Sequence, residues 1–357
     1  MDREHIRDKR IAFVGAGGMG GYIGGRMAQH GLDVTLIDPW GAHVDAINAH
    51  GLRLDKPQGS EVAQPKALHL YEVQTLFARP LDVAFVSVKS YDTEWATVLI
   101  RDYLAPGGYV VSLQNGINEE RIARHVGWGR TLGCIASTIG VSVVAPGHVR
   151  RAYQPGGAAY TVFRVGEVHG RITERARDVA AMLGLVDSAM VTTDLWGERW
   201  SKLAANSMHN GLSAVTGLGH TGIYGEALPR RIAIRLGAEA VRVGRALGYN
   251  VETVRGLSAD ALVAAGAGDA QALAKIEDEI RGWFDRLTDE ARPSTGQDML
   301  KGRRTEIDAI NGLVVEKAEE LRMHAPLQSA MVDLVKRVER GEIPPSPGNL
   351  EILQRAG

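Results

Sequence analysis

The chain has a single cysteine, Cys134, so neither an intramolecular disulfide framework nor a cysteine-built metal cluster is available to it. It has no charge of one dominant sign. Lys+Arg number 41 against 42 Asp+Glu, a formal net charge of -1, which excludes the global basic excess that attracts nucleic acid or an anionic membrane surface. Arginine pairs at 150–151, 230–231 and 303–304 are short and lack interleaved aromatics, so no nucleic-acid partner is expected. The 11 histidines are scattered and no H-E-x-x-H occurs, so no metal site is expected. No run approaches the ~20 uninterrupted apolar residues of a membrane span. The charged opening Met1 to Arg10 is not followed by an apolar signal-peptide core. A cytoplasmic protein without a membrane partner is the expectation.

Glycine is abundant: 43 of 357 residues, about 12% where ~7% is usual. The glycines have no collagen period and point to tight turns and close backbone approaches. Hydrophobic residues make up 45% and charged residues 23%, a globular balance. At roughly 100–200 residues per domain, the length suggests two domains.

Periodicity divides the chain near residue 190. Before it, short apolar runs alternate with helical patterns. Strand candidates are Ile11–Val14, Val34–Ile37, Leu81–Val88, Tyr109–Leu113 and a run beginning at Thr131, with helical stretches near 42–49, 92–101 and 118–126. This alternation predicts parallel strands joined by right-handed crossovers, hence a doubly wound α/β sheet. Residues 140–168 read as extra strands and 171–183 as a further helix. After residue 190 the apolar period becomes helical over 194–216, 225–247, 270–290 and 306–322. The expected organisation is a doubly wound α/β domain over 1–190 and an all-α domain over 191–357.

Gly15-Ala16-Gly17-Gly18-Met19-Gly20 fits G-x-G-x-x-G. It follows the first strand and opens a helix, the context that the dinucleotide fingerprint requires. Gly15 suits the tight turn, Gly17 the approach of a pyrophosphate and Gly20 helix–strand packing, and the helix N-terminus offers N–H groups to the phosphates. Asp38 ends the second strand 23 residues after Gly15. A carboxylate there accepts hydrogen bonds from the adenosine ribose hydroxyls and repels a 2′-phosphate. At ~4 Å and an effective dielectric of about 20, one charge pair amounts to roughly 4 kcal/mol. NAD(H) is therefore favoured over NADP(H).

Lys202, Asn206 and Asn210 are spaced i, i+4, i+8, and at 3.6 residues per turn they share one helix face. Asparagines in mid-helix cost propensity and suit a polar cleft. A lysine in such a cleft can protonate a developing alkoxide, the more readily with a lowered pKa. Pairing of Lys202 with Glu198 on a solvated face fits the spacing equally well. Near Glu306, Thr305-Glu306-Ile307-Asp308 reads as a helix start, and its carboxylate can serve a substrate hydroxyl or belong to an ordinary surface helix. Cys134 lies in an apolar strand pattern and reads as buried, His209 as a locally hydrogen-bonded residue, and Trp196 and Trp200 as core.

These segments together resemble the ketopantoate reductase (2-dehydropantoate 2-reductase) family. The motifs that carry the resemblance are Gly15–Gly20, Val88-Lys89-Ser90, Gln114-Asn115-Gly116, Lys202–Asn206 with Asn210, and Ser294 with Gln297-Asp298 and Arg304–Gly312. The resemblance implies a Rossmann domain, a helical domain and an active site in a cleft between them. It also implies hydride transfer from a nicotinamide to the C2 ketone of ketopantoate, giving pantoate for coenzyme A biosynthesis. It makes Lys202 the general acid and Glu306 the carboxylate at the reacting oxygen, with Glu306 also on the cofactor side. It makes Asn206, Asn210 and Ser294 substrate-binding, Asn115 a contact of nicotinamide ribose and substrate, and Lys89 a cofactor-cleft residue. At the strand end where many members carry Arg, consistent with NADPH, this chain has Asp38-Pro39. The stretch between Gly217 and Ser294 is also longer than in short members. Two other readings stay open: an NAD-dependent dehydrogenase of a different hydroxy acid, and a nicotinamide-binding regulator without turnover. A small keto acid is the expected partner, and a homodimer is compatible with the sequence.

Overall fold

The computed structural model describes residues 4–284 and 292–356. It divides into two compact units, one of residues up to Gln114 together with Asn118–Leu195, the other of Asn115–Ile117 and Trp196 onward.

The first unit is built on an eight-stranded sheet. Its strands are β1 (Arg10–Val14), β2 (Asp33–Ile37), β5 (Lys66–Leu68), β6 (Leu81–Val86), β7 (Leu104–Ser112), β8 (Thr131–Ala136), β11 (Phe163–Glu167) and β12 (Ala189–Thr192). The order across the sheet is β12-β11-β8-β7-β6-β1-β2-β5. All neighbours are parallel except β8 and β11, which run antiparallel. The doubly wound parallel sheet anticipated from the alternation is thus present, with one reversed junction where Ser137 to Val162 leaves and re-enters the sheet instead of crossing over by a helix. Helices α1 (Glu4–Arg7), α2 (Gly18–Gln29), α3 (Gly41–His50), α4 (Thr93–Arg101), α5 (Glu119–Val126) and α6 (Glu174–Leu183) complete the unit. Its strands are near-continuous Val/Ile/Phe runs because they are covered on both faces: Phe13, Phe85 and Val111 sit in one core layer, Val14, Val86 and Val110 in the other. Cys134 is buried in β8.

A second sheet of four strands, β3 (Leu52–Lys56), β4 (Gly59–Ala63), β9 (Val141–Ala145) and β10 (His148–Arg151), has the order β4-β3-β10-β9. It lies over α2 at close contacts where a Cβ would crowd its neighbours. A Cβ on Gly18 would stand 3.1 Å from the Ser142 backbone, and one on Gly25 the same distance from Leu52. The strands between 52 and 68 were not anticipated.

The second unit is helical: α7 (Leu195–Thr216), α8 (His220–Gly225), α9 (Ala227–Ala246), α10 (Ala259–Gly266), α11 (Ala270–Phe284), α12 (Ser294–Leu300), α13 (Asn311–Glu320), α14 (Pro326–Glu339) and α15 (Leu350–Ala356). Among the described residues it departs from all-α in the two-residue ribbon strands β13 (Thr253–Val254) and β14 (Leu257–Ser258). The end of the anticipated helix 270–290 lies outside the described residues. The anticipated helix 306–322 is corrected. Ile307–Ala309 form a 3₁₀ turn, Ile310 breaks the helix at φ -112°, ψ -86°, and α13 begins at Asn311. The cause is tertiary: the Asn311 side chain, fully buried, donates to Ser207 O (3.2 Å) and Gln328 Oε1 (2.8 Å). Helix α14, not anticipated, packs Leu327, Met331, Leu334, Val335 and Val338 into the core.

The β13–β14 turn runs through Arg255 (φ +54°) and Gly256 (φ +83°). A side chain in this left-handed region costs about 1–3 kcal/mol, and such a turn normally takes Asn or Gly first.

Candidate active site

The glycine loop leaves β1 with Gly15 at φ +98°, and a Cβ there would stand 2.8 Å from Val88 N. Gly15 N–H donates to Ile37 O (2.8 Å), and Ser87 Oγ donates to Gly15 O (2.7 Å). A Cβ on Gly20 would stand 2.0 Å from Gly15 O. Gly17 is different: nothing lies within 4 Å of the position its Cβ would take. It is the N-cap of α2 and supplies no side-chain acceptor to the first-turn N–H groups. That combination suits an anionic ligand held by backbone amides and the helix dipole, and a dinucleotide pyrophosphate fits it.

Asp38 and His43 grip the loop from both sides of one residue. Asp38 Oδ2 accepts from Ala16 N–H (2.7 Å) and Oδ1 from Trp40 N–H (2.9 Å). His43, 1% exposed, donates from Nε2 to Ala16 O (3.0 Å) and accepts at Nδ1 from Gly147 N–H (2.9 Å). That pair of bonds requires the neutral imidazole, and burial holds its pKa below the usual histidine value against the opposing pull of the Ala16 carbonyl and Asp38. Trp40 stacks on His43 with rings 5.3 Å apart and 6° from parallel. Trp40 is 39% exposed as a residue. Lys89 precedes the 3₁₀ turn Ser90–Asp92. The same loop is braced by Gln114, which donates to Val88 O (2.8 Å) and Thr93 Oγ1 (2.9 Å). His43 and Trp40 were not singled out by sequence reasoning, since nothing in their local pattern marks them.

In the helical unit the anticipated stripe is realised on α7. Leu203 and Leu212 are buried on its inner side, while Lys202, Asn206 and Asn210 lie along one face. Asn206 Nδ2 donates to Asn115 Oδ1 (3.3 Å), so the structure joins these two predicted residues directly. Glycines bring the other predicted segments against α7. A Cβ on Gly211 would stand 3.4 Å from Ile307, the neighbour of Glu306. One on Gly296, two residues after Ser294, would stand 2.2 Å from Ser213 Oγ. Glu306 is 4% exposed, so its segment is not the solvated surface helix that periodicity also allowed. Thr305 N–H is fixed by Glu339 Oε1 (2.7 Å).

Electrostatically, Lys202 is the notable group of this face. Burial, and then the positive charge of Arg255, lower its pKa to about 8. His209 is two helical turns beyond Lys202, on the same side. Its Nδ1 pairs with Tyr224 Oη (3.1 Å). Burial, then His220, Arg255 and Lys202, push it well below the ordinary histidine pKa and keep it neutral. Arg255 is a further charged residue of this neighbourhood that sequence reasoning missed; its Cζ lies 5.5 Å from the Tyr224 ring centroid. Among the described residues there is no group of three or more His, Cys, Asp or Glu able to hold a metal ion, and no helix long and apolar enough to cross a membrane.

A glycine loop that suits a dinucleotide and a lysine with a pKa lowered to about 8 fit a nicotinamide-dependent oxidoreductase. Comparison with known proteins gives the family. The description "Ketopantoate reductase PanE/ApbA" matches residues 11–162, and its C-terminal counterpart matches 194–339. The chain belongs to the ketopantoate reductase family. It is 28% identical over 341 residues to the 2-dehydropantoate 2-reductase of Archaeoglobus fulgidus, covering 94% of this chain and 100% of that one. It is 27% identical over 331 residues to the enzyme of that name from Pyrococcus horikoshii, covering 92% and 97%. The crystal structure of a PanE/ApbA family ketopantoate reductase from Ralstonia eutropha superposes with a TM-score of 0.75 at 26% identity, covering 93% of this chain and 99% of that one. D-mandelate dehydrogenase with NADH and anilino(oxo)acetate shares the fold at a TM-score of 0.77 and 21% identity, covering 93% and 98%.

The neutral state of His43 has a measurable consequence. Its native pKa lies below its unfolded one, so its contribution to stability is complete above about pH 6.5 and is lost as pH falls toward the native value. Urea unfolding at pH 7.5 and 5.5 will show a smaller acid loss for His43→Gln than for the parent. Equal losses would contradict the grip described, whereas His209 acts in both proteins and cancels.

Proposed function

We propose that the protein reduces the C2 ketone of a 2-keto acid, ketopantoate being the substrate that its relatives' names supply, with NADH as the hydride donor. The observation that carries the reading is Lys202. It is a lysine on the polar face of a buried helix, with a pKa lowered to about 8, beside the Asn206–Asn115 pair. In this reading the unit of the glycine loop carries the nucleotide and the helical unit the acid, and both work on cytoplasmic metabolites.

The bound nicotinamide supplies the hydride. Lys202 holds the ketone oxygen and gives it a proton as negative charge develops there. A pKa near 8 leaves most of the lysine protonated at neutral pH while making it a stronger acid than a solvated one. Asn115, Asn206, Asn210 and Ser294 fix the acid, and Glu306 orients its oxygen side. Gly15, Ala16, Gly17, Gly18, Met19 and Gly20 receive the pyrophosphate through backbone N–H groups, Asp38 the adenosine ribose, and Lys89, Asn115 and Glu306 the nicotinamide end. Trp40 follows Asp38 by two residues, and its ring is a shelf for the adenine, with His43 behind it. Asp38 also supports a second reading, oxidation of a different 2-hydroxy acid by NAD. The same residues serve it, with neutral Lys202 taking the proton.

Initial rates with ketopantoate and either NADH or NADPH test the cofactor. NADH should be preferred at least about tenfold, the factor set by roughly 1.4 kcal/mol of phosphate repulsion. A preference for NADPH would reject the role of Asp38, and oxidation of another acid alone would select the second reading. Cofactor binding with no consumption under any substrate, in either direction, is the outcome expected of a regulator. Lys202→Ala should lower kcat by about 10²–10⁴ without changing NADH affinity. In the parent, keto-acid reduction should fall as pH rises through about 8, and hydroxy-acid oxidation should rise. Titration of NADH fluorescence tests the shelf. Trp40→Ala should weaken NADH about tenfold, in line with the 1–3 kcal/mol of a base–aromatic stack, and leave reduced nicotinamide mononucleotide, which has no adenine, unaffected.

A further inference from the structure

The hairpin of Thr253 to Ser258 is held firmly. Val254 and Leu257, on either side of its turn, are buried, and the N-terminal residues of α10 follow at once. The turn itself holds an arginine where the backbone favours asparagine or glycine, at φ +54°. Strained residues of this kind persist where something else over-determines them, and they cluster at ligand sites.

The side chain leads from the exposed turn back toward α7. Its guanidinium lies over the Tyr224 ring, 5.5 Å from the centroid. The Tyr224 hydroxyl meets His209 Nδ1 at 3.1 Å, and His209 occupies the face of α7 that carries Lys202 seven residues earlier. Arg255 thus reaches Tyr224, which in turn touches His209 on the face of α7 that carries Lys202. Its charge is felt along that face, lowering the pKa of Lys202 and of His209. His209 is kept neutral and offers no competing cation.

A 2-keto acid presents two groups to this face. The ketone oxygen goes to Lys202. The carboxylate is bonded directly to the carbonyl carbon and carries a full charge, and the neighbouring residues assigned to the substrate, Asn115, Asn206, Asn210 and Ser294, are all neutral. A carboxylate desolvated beside them calls for a cation, and guanidinium binds it through two parallel N–H···O bonds. We infer that Arg255 receives the carboxylate of the substrate and that its hairpin selects 2-keto acids over neutral ketones. The inference rests on the keto-acid reading above.

Arg255→Gly is the informative variant, because glycine suits the left-handed turn and the protein should fold with unchanged or raised thermal stability. With ketopantoate, its KM should rise at least about tenfold while kcat changes much less. With the neutral methyl ester, parent and variant should have the same KM, so the preference for acid over ester collapses. Arg255→Lys should retain part of that preference through its charge. A stable Arg255→Gly protein with the parental KM for the acid, or one that loses acid and ester equally, overturns the inference. If the parent itself turns over no 2-keto acid, the underlying reading falls and the inference with it, a result distinct from normal parental turnover with an unaffected variant.

Discussion

The helical unit is organised by one constraint: α7 must be buried almost all round while presenting a stripe of Lys202, Asn206, His209 and Asn210. Burial of a helix with so many polar groups succeeds only if its neighbours approach closely and leave no gaps. Glycines make the approach. The Trp200 indole lies where a Cβ on Gly244 of α9 would be, 2.1 Å away, and its Nε1 donates to Ala240 O (2.7 Å). Met208 packs on Gly237 and Met331 on Gly211. Lys202 lies at the less covered end of the stripe, and partial desolvation by its surroundings is the larger cause of its lowered pKa. Packing and acid strength are therefore one property of this helix, and a change that loosened the α7–α9 contact would act on the lysine without touching it.

Much of this was legible in the sequence, for local reasons. The glycine loop could be read because its strand and helix context is contiguous, and the α7 stripe because helical spacing alone decides which residues share a face. The parallel sheet followed from alternation. What escaped depends on contacts distant in the chain. The start of α13 could not be read from Thr305 and Glu306 because Asn311 is held by Ser207 and Gln328. The strands Leu52–Lys56 and Gly59–Ala63 are short, polar on one face and paired partly with His148–Arg151, so their apolar signal is weak. Helix α14 carries a clear apolar period and a Pro at its first turn, a signal local enough to be legible in the sequence. Arg255 acquires its position from a turn and an aromatic ring 31 residues upstream, and no spacing rule connects the two.

The cofactor end shows how far selectivity and architecture can be separated. Asp38 is the group to which the proposed function gives the exclusion of a 2′-phosphate, yet both of its oxygens already accept backbone N–H groups, from Ala16 and Trp40. Hydrogen bonds to a charged partner are worth about 1.5–3 kcal/mol each, comparable in sum to the roughly 4 kcal/mol of repulsion that one close phosphate charge would meet. A carboxylate has lone pairs for ribose hydroxyls as well, so the two tasks coexist in this chain. They cannot be exchanged independently. Replacing Asp38 by a cation removes the repulsion and at the same moment strips Ala16 N–H of its acceptor, while His43 continues to hold the carbonyl of the same residue. A change of nucleotide preference at this strand end therefore has to rebuild the grip on Ala16 along with the charge, because the residue proposed to read the ribose is also the residue that shapes the loop.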